Sequence, residues 1–130
     1  MSHRSRLAGF IIDSQVDDLH AASAFWSAAL GLKVTHPDDG DLGLYDKFEP
    51  GPGGLHIEVQ KVEHEARVHL DIETDDIEAE VARLRALGAS EVSRPHDARW
   101  VVMQAPTGQR FCVVRMKQPG KGARPNVWAD

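Results

Sequence analysis

The sequence predicts an α+β domain made of two copies of one βαβββ unit, and three matched landmarks predict it. Phe10-Ile11-Ile12-Asp13 ahead of Asp17-Asp18-Leu19 matches Val68-His69-Leu70-Asp71 ahead of Asp75-Asp76-Ile77. Leu30-Gly31 matches Leu87-Gly88. Pro52-x-Gly54-x-x-Ile57-Glu58 matches Pro106-x-Gly108-x-x-Phe111-Cys112. Landmarks repeated in one order define an internal repeat, which sets the fold before any single element does.

In the first copy, the Ile-rich run from Leu7 to Gln15 reads as a strand. Asp17-Asp18 offers helix N-cap chemistry, since a short carboxylate accepts from the orphan N–H groups of a first turn. Leu19, Ala22, Trp26, Ala29 and Leu30 follow at helical spacing, and Gly31 supplies the stop. Strands are expected at Leu32 to His36, Leu42 to Phe48 and Leu55 to Val62, the last two joined by the Pro50 to Gly54 turn. The second copy runs in the same order. Arg67 to Glu73 is a strand, and Asp75 with Glu78 three residues on resembles a capping box. Ile77, Val81, Leu84 and Leu87 line one side of a helix that Gly88 ends. Strands follow at Glu91 to Ser93, Trp100 to Gln104 and Arg110 to Met116. The expected domain is residues 1–116, with modules at about 7–62 and 67–116. The Pro/Gly-rich, basic tail 117–130 is expected over the surface, and Trp128 within it is expected to pack on the body or on a second subunit.

A chain of 130 residues with 42% apolar and 27% charged residues can bury one core without staples. Lys plus Arg at 15 against Asp plus Glu at 20 gives a net charge of −5, which argues against a phosphate-backbone binder. Cys112 is the single cysteine, so no intrachain disulfide is available and a reducing compartment is the default. The run Leu7 to Ile12 is too short for a signal peptide, and no run reaches membrane-span length. The expected location is cytoplasmic, with neither a membrane nor a nucleic acid as partner.

Strand alternation separates two faces. Val68, Leu70 and Ile72 oppose His69, Asp71 and Glu73; Leu55, Ile57 and Val59 oppose His56, Glu58 and Gln60; Phe10 and Ile12 oppose Ile11, Asp13 and Gln15. The apolar faces are expected under the helices. The others form a polar set of Asp13, Gln15, His56, Glu58, Gln60, His69 and Asp71. That set is either the wet side of a sheet or the lining of a ligand cavity. Glu58 and His69 are the candidate general acid and base, against a hydrogen-bonded structural pair. Trp100 is a candidate wall for a flat ligand, whereas Trp26 reads as core. Arg94, His96 and Arg99 cluster at a turn, either as a solvated loop or as a rim for an anion. Cys112 has no Cys-His motif around it to make it a nucleophile. Gly51, Gly53 and Gly54 lack the Lys-Ser/Thr ending of a phosphate loop and read as a turn.

Phe25-Trp26 with Leu30-Gly31, Val68-His69-Leu70-Asp71-Ile72 and Pro106-Thr107-Gly108-Gln109-Arg110-Phe111 resemble the glyoxalase-like (vicinal oxygen chelate) superfamily. The resemblance spans about Leu7 to Met116. It implies curled mixed sheets around a shared cavity, helices outside, a small-molecule ligand and a homodimer. Metal-dependent members carry one ligand on each of the first, fourth, fifth and eighth strands, which here are Ile11, Glu58, His69 and Cys112. Glu58 and His69 suit a divalent Zn, Ni, Fe or Mn ion. Ile11 cannot ligate, and Cys112 departs from the family's oxygen-rich set and reads equally as a small buried hydrophobe. His56 or Asp13 would have to complete the set, and the alternative is a metal-free member that keeps the cavity for an organic ligand. Within the implied cavity His56, Gln60, Asp13, Asp71, Trp100 and Cys112 are the candidate substrate-binding residues. The superfamily includes isomerising lyases, ring-cleaving dioxygenases, epimerases and drug-sequestering proteins. Two functions are therefore expected in competition: an enzyme moving a proton beside a carbonyl, or a non-catalytic binder of the bleomycin-resistance type.

Overall fold

The structure is a computed structural model and describes residues 1–36, 44–95 and 99–129. Its elements are β1 (Ser2–Ser14), α1 (Leu19–Leu30), β2 (Val34–His36), β3 (Tyr45–Phe48), β4 (His56–Lys61), β5 (Arg67–Thr74), α2 (Ile77–Ala86), β6 (Ser90–Ser93), β7 (Trp100–Gln104), β8 (Arg110–Arg115) and β9 (Asn126–Ala129). This is the α+β order of two βαβββ units. The Asp38 to Asp41 turn, the start of the expected third strand at Leu42, and His96 lie outside the described residues. The chain falls into two compact units, Gly9–Val68 and Met1–Ala8 with His69–Asp130.

In the unit Gly9–Val68, β1 runs parallel to β4, with Ile11 beside Glu58 and Asp13 beside Gln60. Antiparallel pairing adds β3 to β4 and β2 to β3. A parallel return needs a crossover, and α1 provides it. Asp18 caps the helix by accepting from the Ala21 N–H. Gly31, at φ 70, closes it by donating its own N–H to the Ser27 carbonyl. The apolar stripe of α1 lies on one sheet face, where Leu19 packs with Ile12, Phe48, Ile57 and Val59, joined by Phe10, Ala22 and Trp26. Gly9 is required where β1 meets β4, because a Cβ there would stand 1.7 Å from the His56 carbonyl oxygen.

In the other unit, β5 runs parallel to β8, with Asp71 beside Cys112, and β7 and β6 follow antiparallel. Val81 and Leu84 of α2 pack on Val101, Met103, Phe111 and Val113. The helix cap is Asp76, which accepts from the Ala79 N–H. Asp75, the expected cap, instead accepts the Arg4 backbone N–H and its guanidinium Nε–H. Glu78 and Glu80 in the first turn and Arg83 and Arg85 in the last suit the helix dipole. The apolar face of β5 departs from expectation. Ile72 joins the core, but Val68 and Leu70 are 60% and 51% exposed, because α2 packs on β8, β7 and β6.

Part of the tail is structured rather than draped. β9 pairs antiparallel with the start of β1, placing Trp128 beside His3. The Trp128 Nε1–H donates to Ser5 Oγ, and the Arg83 guanidinium stacks 4.0 Å from the ring centroid. Arg6 donates to the carbonyls of Gln118 and Ala123 at 2.9 and 2.5 Å, holding the approach to β9. Beneath this clasp Glu80 is fully buried, with both oxygens on Arg83 and Oε1 2.8 Å from His3 Nε2. Burial alone would push the Glu80 carboxyl up, but the hydrogen bonds from Arg83, His3 and Ser5 outweigh it and hold its pKa below the ordinary 4.5.

A pKa lowered by folding stabilises the fold above the unfolded value, and that contribution fades as pH falls through the folded one. In urea titrations, Glu80→Ala is expected to cost about 3 kcal/mol at neutral pH, because it removes the buried acceptor shared by the His3 ring and the part-buried Arg83 guanidinium. Glu80→Gln should flatten the acid-side loss of stability below 4.5. Gly9→Ala should cost about 3 kcal/mol through backbone displacement.

Candidate functional site

The parallel β5–β8 ladder and the β8–β7 hairpin decide which side chains meet in the unit that holds them. Asp71 sits beside Cys112, and Cys112 beside Val102. Alternation then places His69, Asp71 and Glu73 on one face with Arg110, Cys112 and Val114, and with Trp100, Val102 and Gln104. On this face the ligating atoms of His69, Asp71 and Cys112 all lie within 4.8 Å of one another. Asp71 and Cys112 are buried, and only 11% of the His69 side chain is exposed. Asp71 Oδ1 is 3.5 Å from His69 Nε2.

The candidates of the unit Gly9–Val68 form two other groups. Glu58 is buried, with His56 Nε2 at 3.0 Å from its Oε1 and Lys47 Nζ at 3.8 Å. Gln60 donates to the Tyr45 hydroxyl. Asp13 is 3% exposed and pairs with Arg67 Nε at 3.6 Å and His64 Nε2 at 3.8 Å. Its neighbour Gln15 donates to the Glu63 carbonyl. An open groove of about 480 Å³ runs past Asp13 and Arg67 and is walled by Ile12, Ala22, Phe25, Trp26 and Val68.

Sheet register corrects the matching of the two repeats. The Val62 N–H donates to the Ser14 carbonyl, and the Met116 N–H donates likewise to that of Thr74. Ser14 therefore corresponds to Thr74, Ile11 to Asp71, and Gly9 to His69. The sequence match of Asp13 with Asp71 is displaced by one alternation. Its cause is a linker: Gln15, Val16 and Asp17 separate Ser14 from its helix cap, whereas Asp75 alone separates Thr74 from its cap. Glu58 and Cys112 remain counterparts. The displacement preserves each face, so the second repeat carries His, Asp and Cys where the first carries Gly9, Ile11 and Glu58.

Two residues of the His69 face escaped the sequence reading. Arg110 and Gln104 are partners across the β7–β8 hairpin, and Arg110 Nε–H donates to Gln104 Oε1 at 2.9 Å. Their signal was the Pro106-Thr107-Gly108 turn midway between them. Arg94, considered as an anion receptor, is already held by Glu78 and Glu91, and these carboxylates, Glu78 foremost, raise its pKa.

A family model described as a glyoxalase-like domain matches residues 9–114. The chain belongs to that family. No curated protein matches it in sequence. A hypothetical protein from Bacillus halodurans C-125 superposes with a TM-score of 0.63 at 14% identity, over 87% of this chain and 95% of that one. Streptomyces coelicolor methylmalonyl-CoA epimerase, in complex with 2-nitronate-propionyl-CoA, gives 0.58 at 17% over 91% and 97%. The Mycobacterium tuberculosis methylmalonyl-CoA epimerase gives 0.58 at 19% over 85% and 89%. At these identities the likeness establishes the glyoxalase-like fold. The start of β1 and all of β9 lie outside the residues that the family model matches. Among the described residues, no helix is long and apolar enough to cross a membrane.

Glyoxalase-like proteins often hold a divalent metal, and the donor set on β5 and β8 fits one. Imidazole, carboxylate and thiolate are each ordinary zinc ligands, and three protein ligands leave a position open for substrate. Ligand atoms around one tetrahedral ion stand about 3.5 Å apart, so small rotamer changes close the present spacing of at most 4.8 Å. Titration with Co²⁺ is expected to give a near-ultraviolet thiolate charge-transfer band. Cys112→Ser should remove that band, and His69→Ala should weaken Co²⁺ binding at least about 100-fold.

Proposed function

We propose that the chain is an enzyme acting on a small oxygenated metabolite by proton transfer beside a carbonyl, with a divalent ion held by His69, Asp71 and Cys112. The convergence of those three donors on one face carries the reading. When bound, the ion would polarise the carbonyl oxygen and so acidify the neighbouring C–H. Burial of Asp71 and Cys112 keeps water from competing and strengthens electrostatic effects at the face. Val102, Val114 and Trp100 supply its apolar lining. Glu58, a buried carboxylate of the unit Gly9–Val68, is proposed as a proton-transfer group within its own unit. Its Oε1 lies 3.0 Å from His56 Nε2, and the His56 side chain is 42% exposed, a route for the proton to water. His56, Gln60 and Asp13 are proposed as further substrate contacts, and a second copy of the chain as its partner.

The competing reading, a protein that sequesters an organic ligand without turnover, is favoured by the groove walled by Phe25 and Trp26. Exchange of the α-proton of small carbonyl compounds in D₂O, followed by NMR, separates the two. The enzyme reading predicts exchange that Glu58→Gln lowers at least about 100-fold with metal content unchanged. Exchange no faster than buffer, with or without Zn²⁺, Ni²⁺, Mn²⁺ or Fe²⁺, would leave the binder.

A further inference from the structure

The face that carries the donor set also carries an anchor for a substrate. Leu70 pairs with Phe111 on parallel strands, so His69 and Arg110 are the next neighbours outward. Adjacent strands stand about 5 Å apart, and both residues lie on the side of Asp71 and Cys112. Arg110 is half-buried and donates its Nε–H to Gln104 Oε1, which fixes the plane of the guanidinium. Its Nη1 and Nη2 groups make no hydrogen bond among the described residues. The arginines Arg6, Arg83 and Arg94 differ, since each is committed to carboxylates: Glu73, Glu80, and Glu78 with Glu91. A planar fork held in place beside an apolar wall matches a planar carboxylate in two-pronged fashion.

From this geometry we infer that Arg110, set by Gln104, is the carboxylate anchor of the site and that the substrate is a small 2-oxo or 2-hydroxy acid. The inference rests on the reaction proposed above and names its substrate class. In such an acid the carboxylate and the neighbouring oxygen sit on adjacent carbons. With the carboxylate on Arg110, that oxygen points towards His69, Asp71 and Cys112 on the next strand positions. A monoanion suits one guanidinium. Phosphate, with more charge, would meet Asp71 and Glu73 on the same face.

Isothermal titration of the zinc-loaded protein with pyruvate, 2-oxobutyrate and lactate tests this, with methyl pyruvate and inorganic phosphate as comparison arms. At least one acid is expected to bind. Methyl pyruvate, and the same acid on Arg110→Gln, should bind about 10- to 100-fold more weakly. Arg110→Lys, which keeps charge but loses the fork, should fall between. Zinc content of Arg110→Gln should equal that of the parent, which separates loss of the anchor from loss of the metal site. Should Arg110→Gln fail to fold by circular dichroism, Arg110→Lys and Gln104→Ala carry the test, each with weaker acid binding. Binding of none of the acids, equal binding of acid and ester, tighter binding of phosphate, or unchanged affinity in the folded variants would overturn the anchor. A chain that binds acids through Arg110 yet takes up no metal would overturn the metal reading alone.

Discussion

The parallel ladder between the first and last strand of each repeat is the constraint on which the rest depends. Parallel neighbours cannot be joined by a tight turn, so each repeat must spend a helix and a hairpin returning to its first strand. That return places the two strands side by side and fixes which residues touch: Ile11 with Glu58 in one repeat, Asp71 with Cys112 in the other. It also buries strand centres on both faces, as Ile11 and Ile12 both show. Side chains on the face away from the helix therefore meet with little water between them, and their identity decides the chemistry. Gly9 shows how close the approach becomes, since its neighbour's carbonyl occupies the space of a Cβ.

One backbone plan thus hosts two different interiors. The first repeat has Gly9 and Ile11 beside Glu58, and its carboxylate is answered by His56 and Lys47. The second has His69 and Asp71 beside Cys112, with Arg110 and Gln104 one step away. The second unit is also the one that the chain's ends reinforce. β9, Trp128 and the buried His3–Glu80–Arg83 group tie residues outside the family match to α2. A buried charge group is a weak source of net stability but costs much to break, which suits a clasp that holds both ends in one arrangement.

The repeat, both helices and the strand order were legible because each has a local signal: Asp18 at a cap, Gly31 at a stop, Pro-Gly turns between strands. Three features were not. The true cap Asp76 was hidden beside Asp75 because both are aspartates, and only the bond from Arg4, far away in sequence, separates them. The exposure of Val68 and Leu70 depends on where α2 lies, which alternation cannot tell. The equivalence of Asp71 with Ile11 was masked by a linker of different length, since matching the caps shifts the strands by one alternation. For the site, the facing of His69, Asp71 and Cys112 followed from alternation once the ladder was known. Their meeting at one point did not, because it depends on pairing between residues some forty positions apart in sequence. β9 was invisible, having too few residues for a pattern and a partner at the opposite end of the chain.

Anomalous diffraction from crystals grown with Zn²⁺, collected on both sides of the zinc edge, tests the central claim most directly. A single strong peak per chain bounded by His69, Asp71 and Cys112 is the result predicted. A peak at Glu58 and His56 instead, or no peak at either place, would contradict the assignment of the reactive centre to the second repeat.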